Sequence, residues 1–246
     1  MPFLKDFIDK KRASFRPPPT PHRPVHAFGP AFSWPGFGVI AEIKRASPSR
    51  GQIADHPLEA WAAGLAAGGA CALSVLTEPE HFGGALAYLP RVRRACAVPL
   101  LRKDFLIHPS ELDEAAEAGA SAVLLIAAAL EPKDFVYMYR EARARGLAVL
   151  AEIHDSQELA VVDRCPEALI GVNQRDLHSL RVDKRFAEGI APSLAGRRFI
   201  VESGIENAAD LRWARALGAT GVLVGEALAK TPHPGETLRQ WLAELT

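Results

Sequence analysis

Gly119–Ile153 reads GASAVLLIAAALEPKDFVYMYREARARGLAVLAEI, and its grammar recurs along the chain. An amphipathic segment ends in glycine, which fits the left-handed position that closes a helix, and a short apolar run follows. The same step occurs at Gly69 before CALSVL and at Gly218 before TGVLVG. After the runs come side-chain acceptors placed to cap free helix amides: Ser110 with Asp113, Asp155 with Glu158, and Asn207 with Asp210. Eight strands are expected, at Gly38–Glu42, Cys71–Leu76, Val98–Arg102, Ser121–Ala127, Ala148–Glu152, Leu169–Val172, Phe199–Glu202 and Thr220–Val224. The residues after Pro35 then divide into units of about 26, near the minimum for strand, turn and helix.

The runs are almost unbroken in apolar character, as expected of parallel strands covered on both faces. Eight such units predict an α/β chain folded as a (β/α)8 TIM barrel, with an open parallel sheet as the alternative. Residues 1–35 stand apart from the expected barrel at 36–246. Phe3, Leu4, Phe7 and Ile8 have helical spacing within Met1–Phe15, whereas Arg16–Pro24 (RPPPTPHRP) reads as an extended strap, because proline fixes φ and removes a donor. The expectation is an N-terminal helical extension packed on the barrel.

Composition narrows the function. The 246 residues are 48% hydrophobic and 24% charged, ordinary for a globular protein. Lys plus Arg and Asp plus Glu number 29 each, so neither a nucleic-acid nor an anionic-membrane partner is favoured. The longest apolar run, Ala120–Leu130, is too short to span a bilayer, and the start of the chain lacks the apolar core of a signal peptide. Cys71, Cys96 and Cys165 are odd in number and widely spaced, and the eight histidines lack HxH or HExxH spacing. No disulfide framework or metal site is expected, and the cytoplasm is the expected location. Gly36–Ala41 spells GxGxxA, but it precedes a strand and is discarded as a dinucleotide site.

Polar residues gather where the strands end: Glu42-Ile43-Lys44, Lys103-Asp104, Glu152, Asn173-Gln174-Arg175-Asp176, and Glu202-Ser203-Gly204. In a (β/α)8 barrel that rim holds the active site. Alternation puts Glu42 and Lys44 on one face, so a salt bridge is the bland reading of the pair. Lys103 shares the face of Leu101 and is assigned to the inside, which leaves Arg102 with Asp104. Glu152 would then pair with Lys103 or Arg175, and Arg175 could pair with Asp176. His154 follows Glu152 on the same face and reads as a rim or capping residue. Ser203-Gly204 and Gly225 lie in the two loops that usually bind phosphate in this fold, with Ser47 and Lys44 able to complete the site.

Several stretches together resemble one family. They are VIAEIKRASPSRG (Val39–Gly51), SVLTEPEHFGG (Ser74–Gly84), PLLRKDF (Pro99–Phe105), VLLIAA (Val123–Ala128), AEIH (Ala151–His154), IGVNQRDL (Ile170–Leu177), VESGI (Val201–Ile205) and VLVGEAL (Val222–Leu228). In this order they are similar to the indole-3-glycerol phosphate synthases, departing at Gln174, where the family more often has Asn. The resemblance implies a tryptophan-pathway lyase converting 1-(2-carboxyphenylamino)-1-deoxyribulose 5-phosphate to indole-3-glycerol phosphate, carbon dioxide and water. It implies a small sugar-phosphate substrate and no metal or organic cofactor; a monomer is expected. Lys103 matches the general acid at the ketone, and Lys44 a lysine near the substrate's anionic groups that could act as second acid. Glu152 matches a proton-transfer carboxylate and Glu42 an assisting one. Asn173, Arg175, Glu202 and Ser203 match the polar lining, Phe105 an aromatic wall, and Ser47, Gly204 and Gly225 phosphate contacts. Two rivals are a phosphoribosylanthranilate isomerase-like barrel, which would call for a cysteine base on the first strand, and a non-catalytic sugar-phosphate binder.

Overall fold

A computed structural model describes residues 2–16, 32–48, 51–177 and 179–245. Eight parallel strands close into a barrel: β1 Gly38–Ile43, β2 Ala72–Leu76, β3 Leu100–Lys103, β4 Ala122–Ile126, β5 Ala148–Ile153, β6 Leu169–Asn173, β7 Phe199–Glu202 and β8 Gly221–Val224. Each pairs with its sequence neighbours, and β1 meets β8 through Gly38 opposite Gly221 to complete the ring. The expected strands are all present, with ends shifted by one or two residues, and Ala127 leaves β4 for a 3-10 turn. A short antiparallel hairpin, Ala46–Ser47 with Gly51–Gln52, decorates the loop after β1 and was not foreseen.

Strand parity sorts the side chains. Ile40, Leu101, Leu124, Leu150, Ile200 and Leu223 fill the barrel interior, while Val39, Leu73, Val123, Val149, Ile170 and Val201 pack outward beneath the helices. The floor is closed by Trp34, whose indole Nε1–H donates to the Thr220 carbonyl at 2.9 Å while Arg198 lies over its ring. Cys71 sits at the same end, its thiol donating to the Val39 carbonyl and pushed up to about 12 by burial.

The helix closures at Gly69, Gly119, Gly146 and Gly218 all have positive φ, as the sequence pattern requires. Asn207 and Asp155 cap as expected. Ser110 does not. Pro109 occupies the first helical position, so His108 becomes the cap, and its partner is Glu111, which accepts from the His108 amide.

The N-terminal helix, Pro2–Ser14, lies against the carboxyl end of the barrel. Leu4 and Ile8 are buried, stabilising the docking by roughly 1.5–3 kcal/mol each. Lys11 Nζ lies 2.5 Å from both the Phe105 carbonyl oxygen and Glu111 Oε1, tying the helix to the loop after β3. The side chain of Phe3 and residues 17–31, which include most of the proline-rich strap, lie outside what is described.

Candidate active site

The inward parity that gives Ile40, Leu101, Leu150 and Ile200 to the core gives Glu42, Lys103, Glu152 and Glu202 to the mouth, two residues further along β1, β3, β5 and β7. These four side chains converge with Lys44. Lys103 Nζ stands 3.3 Å from Glu152 Oε2 and 3.6 Å from Glu202 Oε2. Lys44 Nζ is 3.0 Å from Glu42 Oε1, and the Ser74 hydroxyl donates to Glu42 Oε2 at 3.4 Å. Arg102 faces the other way and pairs with Asp104 at 3.2 Å, as alternation requires.

Two glycines make the convergence possible by leaving room. A Cβ at Gly171 would stand 2.1 Å from Glu202 Oε1, and one at Gly225 would stand 2.5 Å from Glu42 Oε1. Their role beside the carboxylates is not legible from a turn-residue reading.

Burial opposes every charge here, and neighbours decide which survive. Burial works against the Lys103 ammonium, but Glu152, Glu202 and Glu42 together outweigh it and hold the lysine protonated well above its usual range. Burial raises Glu152, yet Lys103, His154 and an Asn173 hydrogen bond bring it below the ordinary carboxylate value. Glu42 is likewise lowered against its burial, by Lys44 and Lys103. Glu202 goes the other way: burial and the Glu152 charge push it well above the ordinary value, beyond what Lys103 restores. Within this group Lys103, Glu42 and Glu152 are thus driven toward their charged forms and Glu202 toward its protonated form.

The remaining candidates surround this group. Asn173 Oδ1 accepts from the Ser203 hydroxyl at 2.8 Å and from the Arg175 amide at 3.0 Å. His154 Nε2 lies 3.2 Å from Glu152 Oε1, with burial pushing the imidazole below its ordinary value. The Arg175 guanidinium donates to the Leu180 carbonyl at 2.7 Å within its own loop. Phe105 belongs to an aromatic cluster that sequence reasoning did not assemble, with Phe7 at 4.4 Å and Phe82 at 6.2 Å between ring centroids. Phe7 lies on the N-terminal helix expected to pack on the barrel, whereas the approach of Phe82 is announced by no local pattern.

Ser47 is buried on the hairpin after β1. Ser203 and Gly204 have φ of 66° and 72°, so they form a left-handed turn and not a helix start. The next helix opens at Ala208 under its Asn207 cap. Gly225 precedes a four-residue helix, Glu226–Ala229. The three cysteines contribute nothing to the group: Cys71 is on the floor, and Cys96 and Cys165 lie at the carboxyl ends of outer helices.

The family model described as indole-3-glycerol phosphate synthase matches residues 33–241. The chain belongs to the indole-3-glycerol phosphate synthase family. The indole-3-glycerol phosphate synthase of Saccharopolyspora erythraea is 43% identical over 237 residues, covering 94% of this chain and 84% of that protein. The enzyme of the same name from Aromatoleum aromaticum is 46% identical over 204 residues, 82% of this chain and 78% of the other. Among solved structures, a 3-hexulose-6-phosphate synthase superposes with a TM-score of 0.68 over 85% of this chain and all of its own, at 15% identity. That likeness concerns the barrel alone. Among the described residues no helix is long and apolar enough to cross a membrane.

Proposed function

We propose that the mouth of the barrel carries out the family's three-part reaction, with Lys103 as the acid of the first step. The chain is a carboxy-lyase of tryptophan biosynthesis. Its substrate is a small sugar phosphate, 1-(2-carboxyphenylamino)-1-deoxyribulose 5-phosphate. The observation that carries the assignment of Lys103 is its ammonium, seated between Glu152 and Glu202 at the carboxyl end of β3.

In ring closure the aryl carbon bearing the carboxylate attacks the ketone carbon, and the ketone oxygen becomes an alkoxide that needs a proton. Three carboxyl groups keep Lys103 charged, so it surrenders a proton only to a strongly basic oxygen such as this one. Loss of carbon dioxide then restores the aromatic ring. Dehydration expels the new hydroxyl as water and removes a proton from the adjacent methylene. Glu152, held ionised, suits the base. Lys44, paired with Glu42, suits the second acid or the substrate's anions. Glu202, driven toward its protonated form beside Lys103, suits hydrogen-bond donation to a substrate oxygen.

Asn173 and Ser203 line the sugar side, and Phe105 forms the aromatic wall with Phe7 and Phe82. Ser47, Gly204 and Gly225 meet the phosphate. Arg175, with one guanidinium nitrogen held by the Leu180 carbonyl, completes the lining through its other nitrogens. The reading extends to a monomer working in the cytoplasm, with residues 1–35 as an appendage to the catalytic barrel at 36–246 and no metal or organic cofactor. The isomerase alternative lacks its required cysteine, since β1 ends Glu42-Ile43 before Lys44. Mixing the protein with the carboxyphenylamino substrate and following indole fluorescence tests the reaction. Substrate consumed without an indole signal, or bound without turnover, would overturn it.

A further inference from the structure

Among the described residues only Leu180 and Ser203 are non-glycine residues with positive φ, at 58° and 66°. Such a backbone is strained and persists where its surroundings over-determine it. What holds Ser203 is Gln174. This side chain is buried, 2% exposed, and its Nε2 donates to the Ser203 carbonyl at 2.7 Å. Its Oε1 is buried with no hydrogen-bond partner, so the one polar bond this amide makes through its side chain is to the strained residue.

The backbone of Gln174 is fixed in turn. Its amide donates to the Glu202 carbonyl at 3.1 Å, and its carbonyl accepts from the Asp183 amide at 2.9 Å. The far side of the turn is closed by Val182. A Cβ on Gly204 would lie 2.6 Å from Val182 Cγ1 and 3.5 Å from Gln174 Nε2. Ser203 and Gly204 are thus clamped between the Gln174 amide and Val182, in a turn with two successive left-handed residues. Two consecutive backbone N–H groups in such a turn can face one anion.

We propose that Gln174 is a positioning residue for phosphate recognition, holding the Ser203–Gly204 turn in the conformation that presents its amides to the substrate's phosphate. This rests on the assignment of Gly204 to the phosphate site. Gln174 does not touch the reacting atoms; it acts through the Ser203 carbonyl. Removing its donor leaves that carbonyl without its partner and lets the turn relax toward unstrained φ, which withdraws the amides from the anion.

The test compares wild type with Gln174→Met, which keeps length and removes the donor, and with Gln174→Asn, which keeps an amide but shortens its reach by one methylene. Steady-state kinetics give KM and kcat, inorganic phosphate as competitive inhibitor gives Ki, and a melting curve gives Tm. For Gln174→Met, KM and the phosphate Ki should both rise by about ten-fold or more while kcat stays within about three-fold. Gln174→Asn should fall between the two and serves as the test if the Met variant does not fold. A lowered Tm with KM and Ki at wild-type values, in whichever variant folds, would show a structural role only and overturn the proposal. If phosphate does not compete with substrate in the wild type, the assignment of the phosphate site fails first. If Gly204→Ala raises Ki and Gln174→Met does not, Gln174 alone is wrongly assigned.

Discussion

Lys103 on β3 and Glu152 on β5 meet across the barrel mouth, Nζ to Oε2 at 3.3 Å, although 49 residues separate them. Each is the inward residue one step above a core leucine, Leu101 and Leu150. Their pairing follows from parity and closure: once the barrel closes, both must point at the axis, where an unpaired charge would be costly.

Replacing Lys103 with Ala should therefore lower kcat by roughly 10²–10⁴-fold, the usual worth of a positioned general acid. Circular dichroism should show the barrel intact, since Leu101 and the strand register are untouched. A variant that keeps more than a tenth of wild-type kcat would remove Lys103 from the mechanism.

Glu202 makes a prediction about stability. Because its carboxyl is raised by burial and by Glu152, the folded protein keeps a proton that the unfolded chain releases above about pH 4.5. Stability from this group is present below that pH and is lost as pH rises. Glu42 and Glu152 are depressed and behave oppositely, adding stability at neutral pH that disappears on acidification. Glu202→Gln removes the alkaline penalty, so its Tm should exceed that of wild type, each kcal/mol gained being worth about 2–4 °C in a chain of this size. The gain should be larger at pH 8 than at pH 5, and kcat should fall. Equal or lower Tm at pH 8 would mean that Glu202 is ionised in the folded protein.

The contrast between Lys103 and Glu202 shows where reading the sequence stops. Strand number, parity and the inward face of Lys103 are local properties, carried by glycines, apolar runs and alternation. The charge balance of the mouth is a property of the ensemble: a lysine between carboxylates is held protonated, and a carboxyl crowded by another is driven toward its protonated form. Residues 42, 152 and 202 must be brought together before either sign can be known. Arg175 adds a contact that local pattern does not announce: the turn at Leu180 places a carbonyl five residues on, which accepts from one guanidinium nitrogen.

The N-terminal helix should act on substrate affinity more than on stability. Lys11 joins it to Glu111 and to the Phe105 carbonyl, and the Phe7 ring lies on Phe105, so the helix steadies the loop that follows Lys103. Lys11→Met should raise KM several-fold while leaving kcat close to wild type, and deletion of residues 1–24 should raise it further; charge-assisted hydrogen bonds of this kind contribute about 1.5–3 kcal/mol. If KM is unchanged in both while Tm falls, the helix is packing only.

Gly225 offers a test of where the phosphate sits. A Cβ there would stand 2.5 Å from Glu42 Oε1, so even Gly225→Ala must displace Glu42 and loosen its pairing with Lys44. Gly225→Asp adds a carboxylate where phosphate oxygens are expected to meet the amides after β8. Two like charges about 4 Å apart repel by roughly 1 kcal/mol in water and by several times that in a partly desolvated site. The alanine variant should accordingly show a modest fall in kcat and a modest rise in KM, and the aspartate variant a rise in KM of one to several orders of magnitude, with inorganic phosphate no longer competing. Gly218→Asp is the control at the opposite rim: its φ of 87° strains any side chain while nothing lies within 4 Å of its Cβ. It should lower Tm and leave KM alone. If Gly225→Ala and Gly225→Asp bind substrate and phosphate alike, the phosphate does not sit at the end of β8, and the loss belongs to Glu42.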